Sequence, residues 1–236
     1  MPGRPITLDS RCAPGFPDLR TSRPGRDGLV ALGGNLQPDT LIEAYSKGIF
    51  PWEAEDPIPW FSPDPRCILR PADFHTSHSL KKLDRKGRYR VTADLRFREV
   101  VRGCATIHRP GQRGTWISDR MGDSYETLYR MGIAHSIEVW DGYELVGGLY
   151  GLAMGRAFFG ESMFSAHPNA SKLAMRHLCR TLAGWDFHFI DCQQHTEHLQ
   201  SLGAVTVPRR EYLDLLEDAL SGPDMWNPDH ADMLVL

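Results

Sequence analysis

Apolar residues fall into two periods along this chain. Between Gln37 and Gly48 the spacing is helical: Leu41, Ile42 and Tyr45 form one face, Pro38 suits the first turn and Gly48 supplies the stop. Phe97, Val100, Val101 and Cys104 form a second helical face within 94–104, and a third helix over 124–131 closes at Gly132. The period then shortens to two. His135–Trp140 and Tyr143–Leu149 flank Asp141-Gly142, a dipeptide that signals a type I′ hairpin, and a further strand is predicted over 156–160. Asn169 stands where it can cap a long helix carrying Ala170, Ala174, Leu178 and Leu182. A strand over 187–193 follows. Thr196 can cap a helix to Leu202, with Gly203 as its stop. A strand over 205–207 and a last helix over 212–220, ended by Gly222-Pro223, complete the pattern, and no internal repeat is present.

The first third is less regular. Residues 1–27, rich in Pro, Gly and Arg, are expected to wrap the surface or fray. Leu29–Gly34 is a short apolar piece ending in a turn. Pro51–Pro65 holds five prolines with Trp52, Trp60 and Phe61. Proline fixes φ and removes a backbone donor, so a stiff irregular arm is expected here, not a regular element. A boundary just after it divides a small N-terminal domain, 1–68, from a larger one, 69–236. A hairpin-built sheet followed by alternating helices and strands makes the fold class α+β.

Composition narrows the class. With 236 residues and 41% hydrophobic content, the chain can bury a sizeable core. A net charge of −3 excludes a polycation, yet Lys81, Lys82, Arg85, Lys86, Arg88 and Arg90 face only Asp84 within residues 81–90. Such a patch serves a polyanion or is simply a solvated basic turn. The acids Glu211, Asp214, Glu217, Asp218, Asp224, Asp229 and Asp232 cluster at the other end. Five cysteines without Cys-x-x-Cys spacing fit reduced thiols in a cytoplasm better than a disulfide framework. Arg4, Asp9 and Arg11 leave no apolar signal region, and Leu145–Gly155 is too short to span a bilayer. A cytoplasmic location is expected.

Two acids sit in apolar sequence. Glu161 lies between Phe158-Phe159-Gly160 and Ser162-Met163-Phe164, and Asp191 between Phe189-Ile190 and Cys192-Gln193. Burying a carboxylate costs free energy unless it is paired, so each has a structural partner or a task. Strand alternation puts Asp191 and Gln193 on one face, suited to proton handling, and sends Cys192 to the other, a core face. The plainer reading is that Asp191 caps the next loop or pairs with an arginine. For Glu161 the functional reading is an apolar pocket beside a carboxylate, with Phe159, Ser162, Met163 and Leu149 around it. The plainer one is a core-edge acid satisfied by backbone amides. Trp52, Trp60, Phe61 and Trp116 can stack on a base or seal a domain junction. His195, Glu197 and His198 lack His-Glu-x-x-His spacing, so no metal is expected, and neither a Walker loop nor Gly-x-Gly-x-x-Gly is present.

Eight segments occur in a telling order: Gly28-Leu-Val-Ala-Leu-Gly-Gly-Asn35, Tyr45-x-x-Gly-Ile-Phe-Pro-Trp52, Trp60-Phe-Ser-Pro-Asp-Pro-Arg66, Thr115-Trp-Ile117, Gly160-Glu-Ser-Met-Phe-Ser165, Asn169-Ala-Ser-Lys172, Ile190-Asp-Cys-Gln193, and Leu202-Gly-Ala204 through Pro208-Arg-Arg-x-Tyr212. Together they closely resemble the bacterial leucyl/phenylalanyl-tRNA–protein transferases, from about Gly28 to Leu216. The resemblance implies an acetyltransferase-like (GNAT) C-terminal domain beside a small mixed N-terminal one. It implies transfer of Leu or Phe, and less well Met, from aminoacyl-tRNA to proteins with N-terminal Arg or Lys, creating an N-degron. It places Asp191, Gln193 and Glu161 at the reaction centre, and Leu149, Met163, Phe159 and Ser162 around the aminoacyl group. Trp52 and Trp116 then lie near the terminal adenosine, and Lys81, Lys82 and Arg85 against the acceptor stem. Leu149 stands where the family often has Met. No cofactor is implied, since an aminoacyl ester is already activated.

Two other classes compete. A conventional GNAT acetyltransferase would cradle the pyrophosphate of acetyl-CoA with a Gly-rich loop before a helix. The nearest stretch, Gln200-Ser-Leu-Gly-Ala-Val205, departs at its last position and ends a helix instead of starting one. A non-catalytic tRNA-binding module has no use for two acids in apolar surroundings.

Overall fold

The computed structural model describes residues 3–10, 15–107 and 117–226. Within them the order is β1 (Ile6–Leu8), β2 (Leu29–Gly33), α1 (Pro38–Ser46), β3 (Phe50–Pro51), β4 (Pro59–Phe61), β5 (Arg66–Leu69), α2 (His78–Arg85), β6 (Tyr89–Ala93), α3 (Phe97–Thr106), α4 (Asp119–Arg130), β7 (Ala134–Asp141), β8 (Glu144–Met154), β9 (Ala157–Ser165), α5 (Ala170–Gly184), β10 (Phe189–Gln193), α6 (Glu197–Ser201), β11 (Val205–Val207) and α7 (Arg209–Leu220). A four-stranded sheet runs β1-β2-β4-β3, and a seven-stranded sheet runs β11-β5-β10-β9-β8-β7-β6. Both are mixed: β1 with β2 and β9 with β10 are parallel, the other pairs antiparallel.

The larger sheet separates two cores. One face packs Tyr150, Phe159 and Phe189 against α3, α4, α7 and the small sheet. The other packs Leu149, Phe158 and Ile190 beneath α5, whose Ala170, Ala174, Leu178 and Leu182 follow the expected helical stripe. Thr196 caps α6 as its position predicts, accepting from Leu199 N at 3.1 Å.

Several expectations change. The proline arm is not irregular throughout, for β3 and β4 lie in it. Pro51 ends β3 and Pro59 begins β4, and strand ends tolerate the missing donor. Trp60 of β4 is wholly buried and donates to Gly33 O at 2.8 Å. The N-terminal segment does more than fray: β1 joins the small sheet, and Phe16 and Leu19 are buried. The basic stretch is the end of helix α2, a short turn at Lys86-Gly87 and the start of strand β6, not a single turn. Only Leu80 of α2 is buried, so charge hid its apolar face. The β7–β8 hairpin forms, with Asp141 opposite Glu144. Of its two loop residues only Gly142 has a positive φ (61°), which excludes type I′. Asn169 is left-handed (φ 70°) and its side chain caps nothing; Ser165 Oγ instead accepts from Ser171 N at 3.2 Å.

One buried carboxyl stabilises the sheet away from any cleft. Glu138 of β7 accepts from Thr92 Oγ1 and Ser136 Oγ, both at 2.6 Å. Burial pushes its carboxyl up from 4.5 to about 7, against the pull of those hydroxyls. An acid raised on folding favours the native state while protonated. Its contribution is therefore complete below the unfolded value and is lost as pH rises through the folded one. The midpoint of thermal unfolding should fall as pH rises between about 4.5 and 7, and fall less in Glu138→Gln. Equal slopes in the two proteins would show that Glu138 ionises as freely folded as unfolded.

Candidate functional site

The site forms where two parallel strands stop pairing. β9 and β10 are in register from Ala157–Phe159 against Phe189–Asp191. Beyond that point both carry a bulge. On β9, Gly160 faces Gly151 and Ser162 faces Tyr150, so Glu161 is the extra residue. On β10, Asp191 faces Ile68 and Gln193 faces Cys67, so Cys192 is extra and Gln193 takes a φ of 56°. A bulge re-aims every side chain after it. Met163 is thereby brought opposite Leu149, and the two point to the α5 face.

Two adjoining hollows open at this gap. The smaller, about 110 Å³, is apolar, lined by Leu149, Phe158, Met163, Met175, Leu178 and Ile190, with Ser162 at its wall. The other, about 270 Å³, is lined by Phe50, Pro51, Trp52, Gln194 and Thr196. Glu161, Cys192, Gln193 and Leu199 belong to both. A larger hollow of about 580 Å³ between residues 16–20 and α7 touches neither acid. Alternation thus assigns Cys192 to the correct face, but that face carries the cleft, and Cys192 is only half-buried.

Glu161 is held by side chains, not by backbone amides. The Tyr45 hydroxyl lies 2.7 Å from Oε1 and the Tyr125 hydroxyl 2.7 Å from Oε2, while the two hydroxyls are 2.5 Å apart. Gln193 Nε2 donates to Oε1 at 3.3 Å. Burial pushes the Glu161 carboxyl up to about 7, although both tyrosine hydroxyls pull it down. Burial likewise lifts both phenols well above their ordinary range.

Asp191 has no exposed surface. Its Oδ1 accepts from Arg66 Nε at 2.8 Å and from Gln193 N at 2.9 Å. Its Oδ2 accepts from Arg66 Nη2 at 2.6 Å and from the Tyr212 hydroxyl at 2.8 Å. A carboxylate has about four lone-pair sites, and all are filled. Both plain readings of Asp191 therefore hold: it pairs with an arginine and it caps the following backbone. Arg66 also donates to Gly48 O at 3.1 Å, and its guanidinium lies over the rings of Phe50 and Tyr212. Burial opposes the charge on Arg66, but Asp191 more than offsets this and raises the guanidinium above its usual value.

A chain of hydrogen bonds thus runs from Arg66 through Asp191 to the Gln193 backbone, and from the Gln193 amide to Glu161. Of the residues singled out from sequence, Glu161, Gln193, Leu149, Met163, Ser162 and Trp52 line the two hollows. Asp191 lies behind Gln193. Phe159 is on the opposite face, with its ring 5.3 Å from that of Tyr45, and lines neither hollow. Trp116 lies outside the described residues. Lys81, Lys82 and Arg85 are exposed on α2, which Asp84 ties to His177 (3.0 Å) and Arg176 (3.1 Å) of α5. Among the described residues no cluster of His, Cys, Asp and Glu could hold a metal ion, and no helix is long and apolar enough to cross a membrane.

Arg66, Tyr45, Tyr125 and Tyr212 were not identified as site residues from sequence. Arg66 carried a usable signal, a lone charge opening the apolar run Cys67-Ile68-Leu69. The tyrosines read as ordinary members of apolar helix faces.

An apolar hollow with a few convergent polar groups defines a site for a small apolar moiety. The family model described as leucyl/phenylalanyl-tRNA protein transferase matches residues 68–217, and the model of that family's N-terminal domain matches 34–64. A leucyl/phenylalanyl-tRNA–protein transferase of Anaeromyxobacter sp. (strain Fw109-5) is 52% identical over 221 residues, covering 92% of this chain and 93% of its own. The Nitrosospira multiformis protein of that name is 50% identical over 222 residues, covering 92% and 95%. The Legionella pneumophila (strain Corby) protein of that name is 50% identical over 210 residues, covering 89% and 93%. The chain belongs to the leucyl/phenylalanyl-tRNA–protein transferase family. A solved C-terminal domain (DUF2156) of a putative lysylphosphatidylglycerol synthetase from Agrobacterium fabrum is 12% identical. It covers 84% of this chain and 62% of its own at a TM-score of 0.38, a likeness too loose to carry an argument.

Removing Arg66 leaves a buried carboxylate unpaired. Arg66→Met should cost about 3–5 kcal/mol in urea unfolding, as for other broken buried pairs. A loss below about 1 kcal/mol, the scale of a surface pair, would show that water reaches Asp191.

Proposed function

We propose that this protein moves leucine or phenylalanine, and less well methionine, from aminoacyl-tRNA to the N-terminal Arg or Lys of acceptor proteins in the cytoplasm, creating an N-degron. In this reading the chain divides into a small domain over 1–68 and a GNAT-like catalytic domain over 69–236. The observation that carries it is the apolar hollow ending on Glu161 and Gln193, next to the hollow beside Trp52. The aminoacyl side chain enters the first hollow, among Leu149, Met163 and Ser162. The terminal adenosine lies in the second, against Trp52. The ester is then at the junction, within reach of Gln193.

The incoming α-amine, with a pKa of ~8, must lose a proton before it attacks. Asp191 spends its lone pairs on Arg66, Tyr212 and Gln193. That favours a positioning role for it over a base role. Rate then comes from orientation of amine and ester and from fixed dipoles around the developing charge. Phe159 supports Tyr45 from beneath. Lys81, Lys82 and Arg85 meet the acceptor-stem phosphates.

Labelled leucyl-tRNA and a peptide beginning with Arg should yield labelled peptide, whereas acetyl-CoA in place of the tRNA should modify nothing. The reverse result would make the protein a conventional acetyltransferase, and tRNA binding without transfer would make it a binding module. Replacing Lys81, Lys82 and Arg85 by Ala should weaken tRNA binding and lower its log–log salt slope by about 1 for each phosphate no longer neutralised. An unchanged slope would remove α2 from the tRNA surface.

A further inference from the structure

The three oxygen–oxygen contacts at Glu161 pose a question of proton number. Tyr45 and Tyr125 touch each other at 2.5 Å, and each touches one carboxyl oxygen at 2.7 Å. All three separations are O–H···O hydrogen-bond distances, and each needs one hydrogen. Two hydroxyls supply two. If Glu161 is ionised, one of the three pairs sets lone pair against lone pair at a half-buried carboxyl between two buried phenols, where an unmade hydrogen bond is costly. A third hydrogen on the carboxyl group satisfies all three.

We infer that Glu161 is held as a neutral carboxylic acid, closing a three-hydrogen ring with Tyr45 and Tyr125, and that in this form it positions Gln193 for aminoacyl transfer. This rests on the transferase reading and deepens it: Glu161 is then neither the base nor the counter-ion of a cationic acceptor.

Gln193 sets the sense of the ring. Its Nε2 donates to Oε1, which also faces Tyr45, so Oε1 is the carbonyl oxygen accepting from both. Oε2 carries the hydrogen and donates to Tyr125, and Tyr125 donates to Tyr45. The amide oxygen of Gln193 is thereby directed away from Glu161, free to accept from the attacking amine. The groups facing Glu161 from neighbouring elements fit a neutral acid. They are the phenols of Tyr45 and Tyr125, and Asp191 with Arg66, two charges already paired with each other; Tyr150 and Cys192, neither of them charged, line the same hollow. The upward shift of the Glu161 carboxyl to about 7 agrees with that setting.

Glu161→Gln reproduces the ring, with the amide oxygen as acceptor and the amide nitrogen as donor to Tyr125. It should keep kcat/KM for peptide transfer within about threefold of wild type, whereas Glu161→Ala should lose about a hundredfold or more. The wild-type rate should decline as pH rises above about 7, after correction for ionisation of the peptide amine, and Glu161→Gln should not show that decline. Infrared difference spectra of wild type minus Glu161→Gln, with no substrate present, should contain a protonated-carboxyl band at about pH 6 that disappears by about pH 9. In Tyr45→Phe, which removes a hydroxyl that pulls the Glu161 carboxyl down, that band should persist to higher pH. Absence of the band at about pH 6, or a folded Glu161→Gln as inactive as Glu161→Ala, overturns the inference. A wild-type band without any peptide transfer leaves the ring standing and removes the transferase reading instead.

Discussion

A guanidinium and a carboxylate, both without exposed surface, hold the cleft in shape. Arg66 begins the strand at which the proline-rich arm enters the large sheet, and Asp191 ends the part of the neighbouring strand that pairs with β9. Taking both charges out of water is costly, and such a pair is tolerated only when its geometry is good and further hydrogen bonds satisfy its polar atoms. Here each nitrogen and each carboxylate oxygen has a partner: two nitrogens on the carboxylate, a third on Gly48 O, and the Tyr212 hydroxyl and Gln193 amide on the remaining lone pairs. These bonds reach the end of α1, the first residues of α7 and the tip of β10. The pair therefore fixes three separately folded pieces relative to one strand end, which an apolar contact, having no direction, would not do.

The cleft itself is a defect in a sheet. Parallel neighbours normally continue side by side, buried on both faces. Here two bulges at the same level push β9 and β10 apart, and the groups released are recovered locally. Gln193 N turns back to Asp191, and the Gln193 side chain crosses to Glu161. The α5 face contributes oily walls, the opposite face contributes hydroxyls, and the two meet only at the gap. That accounts for an apolar hollow lying against a polar one within a single sheet.

The chemistry proposed for this gap asks little of acid or base strength. An aminoacyl ester carries its own activation, so the protein's task is to hold ester and amine together in a dry, shaped space. Both acids suit that task. Asp191 is saturated, and Glu161 is ringed by hydroxyls. Each acts on the cleft through Gln193, whose amide offers hydrogen-bonding geometry without a charge to desolvate.

Much of this was readable along the chain. Helical faces at Leu41–Tyr45, Phe97–Cys104 and Ala170–Leu182, the Asp141-Gly142 hairpin and the Thr196 cap follow from local spacing, and local spacing is a property of the chain alone. The ordered motifs identified the family for the same reason. Helix α2 escaped because its charges outnumber its one buried leucine, and the Asn169 cap failed because Ser165, four residues upstream, took that place. The site was legible as a set of residues but not as an arrangement. Alternation along β9 and β10 predicts faces correctly only until a bulge inserts a residue, and a bulge depends on the partner strand. The pairing of Arg66 with Asp191 spans 125 residues, and Tyr45 and Tyr125 reach Glu161 from two different helices. Sequence by itself determined which residues are apolar, which are charged and where the chain turns. Tertiary structure alone decided which charges meet in the dark, because burial and hydrogen-bond partners exist only once distant segments are packed together.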